Sequence, residues 1–296
     1  MLSSVPSCVT HSPQSHFHYR RSMIIDVDTR GIIIDVHTHI YPERTAARTL
    51  AAVQDRAGIR AYTDGTITGL KGSMREAGIE VAVVSSIATR PEQVDAMNQW
   101  LREICRPPVY GFAAMHPDLV VTPDLVSTVR AQGFKGFKMH PDYQGFFVDE
   151  RRVFPFYEAA QAEGMSILFH TGVDLGLPDT VHATPQRLAL VLREFPRLRI
   201  IAAHLGGQDM YTETEKYLLG REIYLDTSFV LRKMPLDILQ RIFSKHPLDR
   251  FLFGSDSPWT DQKEELDFLL SSLPFLTQDA KDKILGANAA RLLEIE

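Results

Sequence analysis

The chain has 296 residues, 32 of them basic and 37 acidic, for a formal net charge of −5; 44% are hydrophobic and 23% charged. Those are the proportions of an ordinary soluble globular protein. The acidic balance speaks against a nucleic-acid partner, and no apolar run approaches the roughly 20 residues that span a bilayer. Two cysteines, Cys8 and Cys105, do not make a disulfide framework, which fits a reducing cytoplasm better than secretion.

Residues 1–22 stand apart. They contain no acid, are rich in Ser, Pro and His, and include Arg20 and Arg21. Without an apolar central segment they do not read as a secretory signal, and a flexible tail is expected. His11, His16 and His18 could alternatively bind metal as a polar tract. Met23 directly precedes Ile24-Ile25-Asp26 and is a second candidate translation start. Residues 23–296 show no break in composition and are read as one domain.

The first strand is the β-branched run from Ile32 to His39, which ends in His-x-His and runs into Pro42. Side chains two apart on a strand share a face, so His37 and His39 project together. Two buried imidazoles need a user for their lone pairs, and a divalent metal is the natural one. Helical spacing follows over 43–57 and again over 67–77, stopping at Gly78. Strands are expected at 80–87, 109–115, 134–139, 166–169, 198–203, 223–225 and 250–254. Helices are expected at 91–105, 123–132, 155–163, 184–194, 212–219, 235–245, 261–272 and 278–293. Eight strands alternating with helices predict a parallel sheet closed into a (β/α)8 TIM barrel. The rival, an open doubly wound sheet, is weakened by the lack of a GxGxxG after the first strand.

Function in such a barrel sits at the C-terminal ends of the strands. Those ends supply His37 and His39, then His116, then Lys138 and His140, and finally His170, His204 and Asp256. Six of the eight histidines beyond the tail thus fall in one layer, which scattered surface residues would not do. His182 and His246 lie outside it and are expected in loops or at the surface.

Taken together, His-x-His, His170-Thr171-Gly172, His204-Leu205-Gly206-Gly207, Gly254-Ser255-Asp256-Ser257-Pro258 and the terminal Asn288-Ala289-x-Arg291-Leu292 resemble the amidohydrolase superfamily. The nearest branch is the one that also holds aminocarboxymuconate-semialdehyde and resorcylate-type decarboxylases. The resemblance implies that His37, His39, His170 and Asp256 hold one divalent metal: zinc first, with manganese and others open. It implies that Asp256 acts as general base and acid, and that His204 stabilises charge on oxygen. Lys138 is either a carboxylated bridge between two metals or, preferred here, an anion anchor in a one-metal site. Lys138, His140 and Trp259 are substrate-binding candidates. His116, Asp174, Arg90, Gly206 and Gly207 each have an equally plain role in a loop or turn.

Three functions are compatible with these residues. The favoured one is a metal-dependent hydrolase using activated water on an ester, amide or lactone of a small organic acid. The alternative is a nonoxidative decarboxylase of an aromatic or muconate-type acid, disfavoured because the loops after the second, third and sixth strands are short. A catalytically silent barrel is the third, and it would lack ligands that this chain has. A small-molecule substrate is expected in each enzymatic case, and a homodimer is left open.

Overall fold

The computed structural model describes residues 31–295. The tail and the Met23 start therefore lie outside the described residues. Strands β1 (Ile34–Thr38), β2 (Val81–Ser85), β3 (Val109–Ala114), β4 (Gly136–Met139), β5 (Ser166–Phe169), β6 (Arg199–Ala202), β7 (Tyr224–Asp226) and β8 (Phe251–Leu252) lie side by side in chain order. Each pairs in parallel with the next. The ring closes where Val36 N–H donates to Phe253 O (2.9 Å), Asp256 N–H to His37 O (2.8 Å) and His39 N–H to Ser257 O (2.6 Å). This is the expected TIM barrel.

The helices are α1 (Glu43–Ala57), α2 (Ile67–Ala77), α3 (Val94–Ile104), α4 (Leu125–Ala131), α5 (Pro141–Gln144), α6 (Phe154–Ala162), α7 (Pro185–Glu194), α8 (Tyr211–Tyr217), α9 (Leu236–Lys245), α10 (Gln262–Ser271), α11 (Gln278–Asp282) and α12 (Asn288–Leu293). Their starts follow local chemistry. Thr66, Thr184, Asp261 and Thr277 accept hydrogen bonds from backbone N–H groups of the first turns of α2, α7, α10 and α11. The expected single helix over 278–293 is instead interrupted by a π-turn at Lys283–Ala287. There the Ile284 carbonyl accepts from Phe253 N–H at 2.9 Å. A Cβ on Gly286 would lie 1.9 Å from Ile32 O, so only glycine lets this turn approach the barrel.

Alternate strand residues face two layers. Ile34, Val36, Val81, Val83, Phe112, Leu168, Ile201 and Leu252 fill the barrel, and Ala289, Leu292 and Leu293 of α12 pack against that cluster. Ala82, Val84, Phe137, Ile167, Phe169, Ile200, Leu225 and Phe251 belong to the larger cluster shared with the surrounding helices. Burial on both faces is why the strands read as continuous apolar runs.

One buried carboxylate ties the seam. Asp35 Oδ1 accepts from His37 N–H (3.1 Å) and Ser255 N–H (3.0 Å), and Oδ2 from Ser255 Oγ (2.5 Å) and Gln262 Nε2 (2.8 Å). Burial pushes its pKa up to about 6 against those bonds. Asp35→Ala strands several buried donors and should cost about 3 kcal/mol, read as a lower urea midpoint.

His246 lies in the loop after α9, as expected, and is buried there rather than at the surface. Its Nε2 donates to Ile223 O (3.0 Å) and its Nδ1 accepts from Gly220 N–H (3.1 Å), so the ring is neutral. Burial lowers its pKa to about 4. Its contribution to stability is complete above its unfolded value and is lost as pH falls toward 4. Between pH 6.5 and 4.5 the urea midpoint should fall more steeply for the wild type than for His246→Gln; equal slopes would refute the assignment.

Candidate metal centre

The register between β1 and β2 slips between Asp35 and Thr38, the kind of irregularity that re-aims side chains at a strand end. Within and just after the slip, the rings of His37 and His39 stand 5.1 Å apart. His37 Nδ1 lies 2.9 Å from Asp226 Oδ2, and His39 Nδ1 lies 2.8 Å from Ser85 O. A carboxylate and a carbonyl only accept, so both Nδ1 atoms carry hydrogen. Both Nε2 atoms therefore turn to Asp256 Oδ1, at 3.4 Å from His37 and 3.1 Å from His39.

Two lone pairs converging on a carboxylate repel unless something positive sits among them. The ligand atoms of His37, His39 and Asp256 all lie within 4.8 Å of one another, and all three residues are buried. The donor chemistry and the anchored second nitrogens fit a divalent cation. Burial, helped by the charge on Lys138, lowers the His37 pKa to about 4, which keeps it neutral as a ligand must be. Burial alone would raise Asp256; positive charge on the His37 and His39 side, the place a cation would take, outweighs it and holds the carboxyl well below the usual range.

Lys138 is buried, and its Nζ sits 3.0 Å from His37 Nε2. Burial brings its pKa down to about 8. The amine thus occupies the lone pair that a cation on His37 requires. Lys138→Met should tighten Mn²⁺ binding about fivefold, the worth of one lost hydrogen bond of about 1 kcal/mol. Weaker binding in calorimetric titration would instead mark the lysine as a ligand.

His204 follows β6 with φ 59°, and Asp256 follows β8 with φ 73°. Left-handed backbone at non-glycine residues is costly and gathers at functional sites. His204 Nδ1 donates to Ser228 O (3.0 Å), which aims its Nε2 at His170 Nδ1, also 3.0 Å away. His170 Nε2 is buried with no hydrogen-bond partner among the described residues. The nearest acidic oxygen, Asp174 Oδ2, is 3.9 Å from it and 3.3 Å from His140 Nε2.

His140, His170 and Asp174 form a second compact group of metal-capable atoms. Its two rings, however, are parallel within 7° and stacked 4.1 Å apart. Imidazole lone pairs lie in the ring plane, so stacked rings cannot both aim at one ion. Of the expected ligands His37, His39, His170 and Asp256, the structure brings three to one point and leaves His170 on the adjoining wall.

All four line a cavity of about 220 Å³, together with Lys138, His140, His204, Trp259 and Asp174. Val53, Ala57, Ile59, Ile87, Leu175 and Phe229 supply its apolar walls. Asp174 serves both as loop and as lining, since its Oδ1 also accepts from Gly176 N–H (2.8 Å). His116 and Arg90 do not line the cavity. His116 Nδ1 accepts from Asp118 N–H (3.2 Å), a plain loop contact. Gly206, with φ 86°, shapes the turn after His204.

Asp226, the last residue of β7, is absent from the sequence-derived set. It sits under the centre, binding His37 through Oδ2 and accepting His204 N–H (3.0 Å) and Ser228 N–H (3.0 Å) through Oδ1. Burial alone would raise its pKa; the His37 contact and the Ser228 hydroxyl outweigh that and bring it to about 2. A signal existed: Ile223-Tyr224-Leu225-Asp226 ends an apolar run in a polar residue, as the other strands do.

With this geometry in view, the comparison with known families is decisive, since the amidohydrolase profile matches residues 34–295. The chain belongs to the amidohydrolase family. Several solved structures share the fold at low identity. One is 5-carboxyvanillate decarboxylase from Sphingomonas paucimobilis, with 15% identity, 90% of this chain and 99% of that one covered, and a TM-score of 0.65. Another is 2,6-dihydroxybenzoate decarboxylase from Rhizobium, at 20%, 89%, 99% and 0.67. A third is a dihydroxybenzoic acid decarboxylase from Polaromonas sp. with bound manganese and 2-nitroresorcinol, at 19%, 89%, 97% and 0.66. Among the described residues of this amidohydrolase, no helix is long and apolar enough to cross a membrane.

Proposed function

We propose that this amidohydrolase is a metal-dependent, nonoxidative decarboxylase of a small carboxylic acid. The observation that carries the reading is a small, largely apolar cavity closing over the convergent Nε2 atoms of His37 and His39 and the carboxylate of Asp256. Such walls fit a ring or an unsaturated chain, and they desolvate a carboxylate that leaves as neutral carbon dioxide. The fold-level similarity to three decarboxylases supports the same choice.

His37, His39 and Asp256 would hold the cation, with His170 completing the set expected from the family. A bound divalent ion would act as a Lewis acid on the acid's oxygens; manganese and zinc both suit these ligands. Asp226 and the Ser85 carbonyl keep both histidine rings turned. Loss of carbon dioxide breaks a C–C bond and leaves its electron pair on carbon, where a proton must arrive. His204 is suited to deliver it, because it lines the cavity with Nδ1 fixed on Ser228 O and Nε2 paired with His170 Nδ1, a contact through which a proton can be passed. Trp259 and Phe229 flank the ring position, and Lys138 offers a buried cation to the anionic substrate.

In D2O, Mn²⁺-loaded protein offered hydroxybenzoic and dienoic acids should release carbon dioxide and place one deuterium on the carbon that lost it. His204→Ala should lower kcat about 10²-fold or more. Turnover of esters, amides or lactones without carbon dioxide would favour the hydrolase reading instead.

A further inference from the structure

A second cavity, of about 330 Å³, meets the first at Ile59, Phe229 and Trp259, which line both. Its other walls carry Arg60, Arg232 and Lys233, with Tyr62, Thr260 and Glu265. Phe229 is the partition. Its ring centroid stands 6.2 Å from that of His204, and the Lys233 Nζ lies 2.9 Å from the same centroid. One aromatic ring thus meets both this ammonium and the His204 imidazole. Phe229 is held there at φ 66°, left-handed backbone that a bulky residue rarely adopts. The strain sits on the residue that divides the two chambers.

Charge in the second chamber is unbalanced. Arg232 pairs with Glu264 and lies 3.9 Å from Glu265 Oε1. Among the described residues, no carboxylate forms an ion pair with Arg60 or Lys233. Glu265 does not cancel them. It is 2% exposed, its Oε2 has no partner, and burial pushes its pKa up to about 8. Arg60 and Lys233, without carboxylate partners among the described residues, make a place for an anion.

We propose that this chamber receives a second carboxylate at the far end of the substrate, so that the enzyme acts on a diacid. The inference rests on the carboxylic-acid reading of the main cavity. The reacting carboxyl lies over His37, His39 and Asp256, and the distal carboxylate reaches past Phe229 to Lys233 and Arg60.

The test uses Mn²⁺-loaded protein with Trp100→Phe, so that fluorescence reports Trp259. Benzoate and 3-(4-carboxyphenyl)propanoate are the probes. The diacid should bind about tenfold or more tightly than benzoate, the worth of charge-assisted hydrogen bonds. Arg60→Ala with Lys233→Ala should bring the diacid to the affinity of benzoate and leave benzoate unchanged. A diacid advantage that is missing, or that survives the double substitution, would overturn the second chamber while benzoate binding upholds the first. Equal weakening of both probes would also overturn it. Failure of both probes to bind the parent protein would remove the carboxylic-acid reading and this proposal together.

Discussion

The centre depends on one buried carboxylate. Asp226 at the end of β7 binds His37 Nδ1 and accepts the backbone N–H groups of His204 and Ser228. Its acceptor-only chemistry forces hydrogen onto His37 Nδ1, which leaves Nε2 open toward Asp256. The Ser85 carbonyl at the end of β2 does the same for His39. A set of rings that could have turned many ways is thereby aimed at one point before any cation arrives. Preorganisation of this kind is what keeps a ligand set from collapsing into hydrogen bonds among its own members.

The barrel supplies the frame for that aim. Asp35 couples β1 to the start of the β8 loop through Ser255, and the same loop carries Asp256. The backbone bond from Asp256 N–H to His37 O links the ends of the first and last strands, which carry the candidate ligands, directly. Strain is concentrated in the same region: His204, Phe229 and Asp256 all adopt left-handed backbone. Residues in that state persist only where their surroundings over-determine them, and here each sits on the cavity wall.

Much of this was legible beforehand because barrel strands announce themselves. Apolar runs ending in a polar residue placed all eight strands, and the His-x-His spacing put His37 and His39 together. What stayed hidden has physical reasons. Asp226 ends a strand of only three residues, so the run before it was too short to mark its side chain as pointing inward. The parallel stacking of His140 on His170 is a tertiary result with no periodic signature. His170 lies in that stack, in a different compact group from the other three expected ligands. The π-turn before α12 arises from a carbonyl drawn to Phe253 N–H, a partner some 30 residues away in sequence. Loop length is a weak guide to the choice between hydrolysis and decarboxylation, because short connections say little about the reaction a barrel performs.

The measurement that bears most directly on the account is metal content per chain, by elemental analysis of untagged protein equilibrated with Mn²⁺ and then freed of excess ion. One ion per chain in the wild type, and none in Asp256→Asn of unchanged secondary structure, is the predicted result. No retained ion in the wild type, or one retained equally by Asp256→Asn, would contradict the assignment of His37, His39 and Asp256 as the cation site.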